Sequence, residues 1–305
     1  MKRLIKRFLN WIFDSRLPPA SVQELEYLSE LRTTFRQLSV VNAETTEPSQ
    51  AEWLGNMNRL RGHILSDDPR KFARWDVVSN TMVVGYENYI RSELSYLRRL
   101  PHWPTRWRAV LEEPFIGNLP RYPFYAASSA NTIHHAYHLA QFEEKTGKAI
   151  EDMDCVFEFG GGYGNLCRLL YSLGFKGRYV LFDLPPFSAL QRYYLKTAAL
   201  PVDSKITCLS DAEELRTALA AFEGDRLFVA TWSISETPLS VRKPVLSAVS
   251  NFENFLIAYQ DQFREVNNLD YFGRWKQEIG AAWHNWPIKH LPNSNYLIGS
   301  KSANV

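Results

Sequence analysis

The sequence predicts an α/β fold: a largely parallel sheet with helices on both faces, closed by an antiparallel C-terminal pair and preceded by a helical region. Three observations carry this. Up to about Leu111, apolar residues recur at spacings of three and four, the period of helices. From Asp154 onward the period changes. Short β-branched and aromatic runs ("DCVFEFG", "GRYVLFDL", "KITCL", "RLFVATWS", "NFLIAYQ") alternate with helical segments, the order of a parallel sheet. The tail "WPIKHLPNSNYLIGSK" reads as two strands around a turn at Pro292–Asn295.

The elements follow in chain order. "MKRLIKRFLNWIFDSRLPP" sets Leu4, Ile5, Phe8, Leu9, Trp11 and Ile12 against Lys2, Arg3, Lys6 and Arg7 at near-helical spacing. Lys6 and Arg7 break the apolar run that a secretory signal needs. The segment suits an anionic membrane surface, or packing on its own domain or a partner. "SVQELEYLSELRTTFRQL" is a helix with Ser21 and Glu24 at capping-box spacing. "SQAEWLGNMNRLRGHIL" and "DVVSNTMVVGYENYIRSELSYLRRL" are further helices, the second open to a break at Gly85. The proline- and aromatic-rich "PHWPTRWRAVLEEPFIGNLPRYPFY" is a connector holding a short helix. "SSANTIHHAYHLAQFEEKTGK" restarts a helix, capped by Ser128, Ser129 or Asn131 and ended at Gly147. The helices between the later strands are "GNLCRLLYSLG", "PFSALQRYYLKTAAL", "DAEELRTALAAF" and "PLSVRKPVLSAVSNF". The domain division is therefore a helical region over 1–125 and an α/β domain over 126–305.

Composition narrows the function classes. The 305 residues are 45% hydrophobic and 22% charged, enough for a buried core. The net charge is +2, and Lys and Arg are spread along the chain, so nucleic acid is not expected as a partner. Cys155, Cys167 and Cys208 lack metal spacing and cannot all pair, which points to a reducing, cytoplasmic compartment. No run approaches the roughly 20 apolar residues of a membrane span.

The richest stretch is "VFEFGGGYGNLCRLL". It joins the first strand to its helix, where open α/β sheets bind ligands. Glycine permits positive φ and close approach of a ligand to the backbone, and the following helix adds its N–H groups and positive dipole end. The dinucleotide pattern G-x-G-x-x-G fails, because Asn165 or Tyr163 stands where glycine is required. A phosphate-binding Lys-Ser/Thr pair is absent. The spacing that fits is Glu158-x-Gly160-x-Gly162-x-Gly164. An acid before the glycines disfavours a pyrophosphate and suits a cationic amino group. Asp183, at the end of the second strand in "LFDLP", is placed to accept hydrogen bonds from ribose hydroxyls. Ser210 and Asp211, after the third strand, are placed to read an adenine edge. Amino group, ribose and adenine together describe S-adenosylmethionine.

E-x-G-x-G-x-G with Asp at the end of strand two resembles class I S-adenosylmethionine-dependent methyltransferases over about Met153–Val305. The resemblance implies a Rossmann-like, seven-stranded sheet with an antiparallel C-terminal strand. It implies that Gly160, Gly162 and Gly164 line the methionine moiety while Glu158 faces its amino end. Asp183, with Leu184 beside it, would then hold the ribose, and Ser210 and Asp211 the adenine. "FEFGGGYGNLCRLL", with its Tyr163, "LFDLPPFSALQRYYL", "SISETP" and "HLPNSNYLIGS" resemble, more narrowly, the sugar O-methyltransferases of bacterial surface-polysaccharide clusters. A sugar or sugar-containing acceptor follows from that narrower likeness.

Methyl transfer to a hydroxyl requires alignment of acceptor, methyl and sulfur, and a positioned base. The base is expected at the carboxyl end of strand four or five. "ATWSISETP" leaves strand four there, making Glu236 the first candidate, with Trp232 and Ser235 shaping the pocket. The competing reading of Glu236 is an acid answering a helix dipole before Pro238. Ser233 and Ser235 suit caps as well as catalysis. His134 and His138 have an i,i+4 spacing, but the acid of H-E-x-x-H is missing, so no metal site is expected. His134 remains a candidate base or substrate contact, as does His290 in the closing hairpin. Tyr125, Ser128 and Ser129 precede strand one, placed to contact the methionine carboxylate, Ser128 first among them, to form a lid, or simply to pack between domains. The helical region would serve as lid, acceptor-binding surface or homodimer surface. A lipid-linked acceptor would bring the basic N-terminal segment to the inner face of the membrane. The rival readings are a small-molecule O- or N-methyltransferase of secondary metabolism and a non-catalytic scaffold of the same fold.

Overall fold

The computed structural model describes residues 17–38 and 48–301. The amphipathic segment expected at Lys2–Ile12 lies outside the described residues. In chain order the longer helices and the strands of the main sheet are α1 (Val22–Gln37), α2 (Pro48–Ser66), α3 (Ile90–Arg99), α4 (Ala130–Thr146), β1 (Cys155–Phe159), α5 (Asn165–Leu173), β2 (Arg178–Phe182) and α6 (Pro185–Thr197). β3 (Ile206–Leu209), α7 (Ala212–Ala220), β4 (Arg226–Thr231), α8 (Leu239–Ala248), β5 (Asn254–Gln260), α9 (Asn268–Glu278), β6 (Ala282–Pro287) and β7 (Ser294–Ser300) complete the chain.

Two compact units interleave in sequence. One comprises the described residues of Met1–Tyr137 with Gly162–Leu173 and Leu184–Val202. The other comprises His138–Gly161, Gly174–Asp183 and the described residues of Asp203–Val305. The second unit holds the whole seven-stranded sheet, in the order β6-β7-β5-β4-β1-β2-β3. β1 to β5 run parallel, and β7 is antiparallel to both β5 and β6. This is the Rossmann-like sheet with an antiparallel C-terminal strand that the sequence predicts. The chain passes from β1 to β2 and β3 on one side and returns to β4 on the other. The switch point, where such sheets bind ligands, therefore lies between β1 and β4. All five residues of β1 are buried, as befits a central parallel strand. Phe157, Phe228, Phe255 and Tyr259 of the sheet pack with Leu215, Leu246, Phe272 and Trp275 from α7, α8 and α9.

The closing hairpin has a wider connection than the turn read at Pro292–Asn295. Asn295 is already paired with Pro287, and the chain reverses over 288–293. There the Leu291 amide donates to the Ile288 carbonyl, and Asn293 takes a left-handed φ of 58°. In the first unit, Ser21 caps α1 through the Glu24 amide at 3.1 Å. The segment from Asp76 to Arg99 is helical only at Asp76–Ser79 and in α3, a wider break than one at Gly85. The connector contains a small antiparallel pair, Arg121–Tyr122 with Tyr125–Ser129, that its proline and aromatic content conceals. Ser129 caps α4, its Oγ accepting from the Thr132 amide at 3.1 Å. No described helix is long and apolar enough to cross a membrane.

Candidate active site

β1 delivers Glu158 to the carboxyl end of the sheet. Its side chain is 4% exposed, and Oε2 accepts a hydrogen bond from the Tyr179 hydroxyl at 2.7 Å. Tyr179 stands on β2, where register pairs Glu158 with Leu181 two residues further on. Burial is the main influence on this carboxyl. It raises the pKa to about 7, against the Tyr179 bond that lowers it, and Asp183 adds to the rise. At neutral pH the acid is thus balanced between its charged and neutral forms.

The glycines that follow are fixed by the fold itself. Gly160 has φ 70°, and a Cβ there would stand 2.3 Å from Cβ of Ser233. The Ser233 hydroxyl in turn donates to the Phe159 carbonyl. A Cβ on Gly161 would meet the Glu158 carboxyl group and Leu181, each within 3 Å. The Glu158 carboxyl therefore lies directly under the Gly161 backbone. At these two positions a side chain would collide with protein atoms of the same unit. The Gly160 amide donates to the Phe182 carbonyl at 2.9 Å, tying the loop to the end of β2.

Asp183 follows β2 immediately, half-buried, its amide bonded to the Leu209 carbonyl at 3.0 Å. Ser210 and Asp211 are exposed beyond β3. Asp211 is the N-cap of α7, with Oδ1 accepting from the Glu213 and Glu214 amides at 2.9 and 3.0 Å. Its backbone and Ser210 are thus held in place by a helix start.

The turn after β4 is held by several side-chain hydrogen bonds. Trp232 adopts φ 62°, ψ −35°, a conformation costing a bulky residue on the order of 1–3 kcal/mol. Ser235 Oγ is within 2.6 Å of both the Trp232 carbonyl and Gln260 Oε1. Gln260 donates from Nε2 to Glu236 Oε1 at 3.3 Å. Beneath the turn lies Arg242, fully buried, which sequence reading missed. Its guanidinium donates to the Ser235 carbonyl at 2.7 Å, the Thr237 carbonyl at 3.1 Å and Asn268 Oδ1 at 2.8 Å. Those two carbonyls flank Glu236. Burial pulls the Arg242 pKa down to about 10, so the group stays cationic at neutral pH. It is covered by the Tyr271 ring, 4.7 Å from the guanidinium carbon.

His138 is fully buried in the same unit, bonded through Nδ1 to the Tyr296 hydroxyl. Its ring lies 5.4 Å from that of Trp232. Of the three histidines on α4, this one accompanies the β4 turn within this unit. His290, half-buried, lies in the connection between β6 and β7.

The remaining sequence candidates belong to the other unit. Gly162 has φ 58°, and a Cβ there would meet Met82 only at ordinary contact distance, 3.5 Å. Gly164 has φ 96°, and a Cβ there would stand 3.3 Å from Leu195. Tyr163 is buried, its hydroxyl accepting from Asn131 at 2.9 Å and its ring set edge-on to Tyr194 at 5.0 Å. Leu184 is the exposed N-cap of α6, its carbonyl accepting from Phe187 and Ser188. Ser128 is buried, with its hydroxyl on the Ser129 carbonyl at 3.3 Å. His134 is buried with Nδ1 at 2.9 Å from both oxygens of Glu93, itself buried. Half-buried His135 meets Asn165 at 3.1 Å. Loss of hydration at its ring, then the neighbouring His134 and Arg168, push its pKa down to about 3.

What the sheet-bearing unit can do chemically follows from these placements. Glu158 offers a buried acceptor for a cationic amine, Asp183 a carboxylate for a diol, and Glu236 a carboxyl oriented by an amide. Among the described residues no group of three or more His, Cys, Asp or Glu could hold a metal ion.

No protein-family model matches the chain, and no curated protein matches it in sequence. Solved structures similar to it include the precorrin-6y C5,15-methyltransferase from Geobacter metallireducens, 14% identical, covering 55% of this chain and 87% of that one at a TM-score of 0.41. A SAM-dependent methyltransferase from Aquifex aeolicus is 13% identical, covering 52% and 89% at a TM-score of 0.37. PigF with SAH is 12% identical, covering 98% and 99% at a TM-score of 0.38. Identities this low say nothing about which residues act, and the functional reading rests on the chain's own geometry.

Proposed function

We propose that this chain is an S-adenosylmethionine-dependent O-methyltransferase acting on a hydroxyl of a sugar or sugar-containing intermediate. One observation carries the reading. At the switch point of the sheet, a buried acid lies under the glycine loop after β1, with a second acid at the end of β2. The residues fit the cofactor: Glu158 suits its amino group, Asp183 its ribose hydroxyls, and Ser210 and the Asp211 backbone the adenine edge. When bound, the cofactor supplies an electrophilic methyl group on sulfur.

The chain's part is orientation and proton management. Glu236 accepts the proton of the acceptor hydroxyl, and Gln260 holds its carboxyl in one attitude. Arg242 fixes the turn on either side of Glu236. His290, in the same unit, is a further candidate for acceptor contact. In this reading 126–305 is the methyltransferase domain, and 1–125 serves the acceptor or a second copy of the chain. Lys2–Ile12 would bring the enzyme to a membrane if the acceptor is lipid-linked; unchanged membrane partition after deletion of residues 1–16 would remove that role.

Calorimetric titration with S-adenosylhomocysteine tests the reading. Binding with a Kd of about 1–100 μM by the wild type, lost in Asp183→Ala, supports it. No binding by the folded wild type leaves a scaffold.

A further inference from the structure

Residues 90–125 carry a surface on which no ligand has yet been placed. α3 exposes Arg91 and Arg98, seven positions apart and hence on one side of the helix two turns from each other. The Arg91 guanidinium carbon lies 5.2 Å from the centre of the Phe124 ring, and that of Arg98 5.2 Å from the Tyr125 ring. Phe124 and Tyr125 are consecutive at the tip of the small antiparallel pair, so helix and tip form one patch. Behind it, Arg121 covers Phe115, also at 5.2 Å. Phe124 is 63% exposed and Phe115 51%, an amount of aromatic surface that the fold leaves facing water.

The charge is one-sided. Residues 90–125 contain six arginines, no lysine and three glutamates. Two of those acids are buried and engaged elsewhere, Glu93 with His134 and Glu113 with Ser129. Among the described residues no ion pair joins a carboxylate to Arg91 or Arg98. Tying the tip to α3 is part of their role, but an exposed cation–π contact is a weak one. Beside its ring each guanidinium still offers N–H donors in the fork that matches phosphate oxygens. Aromatic faces beside such edges suit the C–H face of a sugar ring.

We propose that this patch binds a sugar carried on a diphosphate, with the Arg91 and Arg98 edges on the phosphates and Phe124 against the sugar. The proposal names the form in which a sugar acceptor arrives and rests on the methyltransferase reading for its purpose. Such a sugar comes linked to a nucleotide or to a lipid, and the test separates the two.

Binding to the full-length protein would be measured with UDP-N-acetylglucosamine in solution. In parallel it would be measured with neutral phosphatidylcholine vesicles, with and without polyprenyl-diphosphate-linked N-acetylglucosamine, and with vesicles containing phosphatidylglycerol instead. The expected result is saturable binding of one sugar diphosphate, weakened about tenfold or more in the doubly substituted Arg91→Lys, Arg98→Lys protein, which keeps the charge and loses the fork. Phe124→Ala weakens it too. Because these side chains are exposed and their mutual contacts weak, thermal unfolding shifts by no more than a few degrees and S-adenosylhomocysteine binding stays unchanged. Failure of both sugar diphosphates to bind overturns the proposal. So does equal affinity of the lysine variant, or equal binding to phosphatidylglycerol, since either would reduce the patch to bulk charge. A protein that binds the sugar diphosphate but not S-adenosylhomocysteine would sink the methyltransferase reading and leave this site standing.

Discussion

Consider S-adenosylhomocysteine titrated into the protein from about pH 5.5 to about pH 8.5, a window that spans the Glu158 transition. In the free protein that carboxyl titrates at about 7, raised by burial and by Asp183 and held down by Tyr179. A ligand amine that pairs with the carboxylate must displace the proton wherever the acid is neutral. Each pH unit below the transition then costs about 1.4 kcal/mol. At about pH 5.5, some 1.5 units below it, the penalty is ~2 kcal/mol, or about a thirtyfold weaker Kd than on the alkaline plateau. Calorimetry reads the same event directly. At the acid end, binding releases about one proton, so the apparent enthalpy varies with the ionisation heat of the buffer. Glu158→Gln should bind about ten- to a hundredfold more weakly at high pH, the loss of one charged hydrogen bond, and should show no pH dependence in this window. Tyr179→Phe removes the bond that favours the charged form and should move the midpoint upward. A flat wild-type profile would refute the pairing of Glu158 with the amine. An unchanged profile in Glu158→Gln would refute it equally.

The same carboxyl governs stability without ligand. Its folded pKa lies above the unfolded value, so the folded state binds more protons between about pH 4.5 and 7, and stability falls by ~3 kcal/mol as pH rises through that window; urea midpoints at the two ends should show the slope, and Glu158→Gln should remove it. Gly160→Ala should cost about 2 kcal/mol or more, from the left-handed φ and the clash with Ser233. Adding Ser233→Gly should recover the steric part alone, and full recovery in chemical denaturation would show that φ carries no strain. Arg242→Met removes the guanidinium donor from the Thr237 carbonyl and Asn268 Oδ1 and leaves the Ser235 carbonyl only a long bond from Asn268 at 3.4 Å, and should destabilise by roughly 3 kcal/mol; an unchanged denaturation midpoint would mean that water replaces the guanidinium.

The sheet was legible because period and burial agree along the chain. β1 is an apolar run interrupted only by Glu158 and stopped by glycines, and Asp183 falls at the end of the next strand. What stayed hidden lies in register and in long-range partners. Tyr179 reaches Glu158 only because β2 pairs with β1 in the observed register, which no local pattern encodes. Ser233 crowds Gly160 from 73 positions away, a packing reason for glycine that no local pattern displays. His138 finds Tyr296 across 158 positions, and nothing in "NTIHHAYHLA" separates it from His134. Arg242 in "PLSVRKPVL" looks like a solvated helix residue, and no sequence signal distinguishes it from Lys243 beside it. The small strand pair at Arg121–Ser129 was masked by Pro120 and Pro123, residues that elsewhere argue against strands.

The turn after β4 shows why those hidden partners matter to chemistry. A proton acceptor for a sugar hydroxyl must keep one orientation while the reacting atoms align, and an acid on an unsupported loop would not. Glu236 sits on a turn that begins with a strained tryptophan and is closed by Ser235 on Gln260. The turn is clamped from below by a buried cation gripping the carbonyls on both sides of the acid. Strain of this kind persists only where surrounding contacts over-determine the backbone. Burying Arg242 without a carboxylate to neutralise it carries a desolvation cost, offset by three oxygens and an aromatic cover. A helix dipole answered by Glu236 would require neither the clamp nor the strain. Together they hold the backbone on both sides of Glu236 in one conformation.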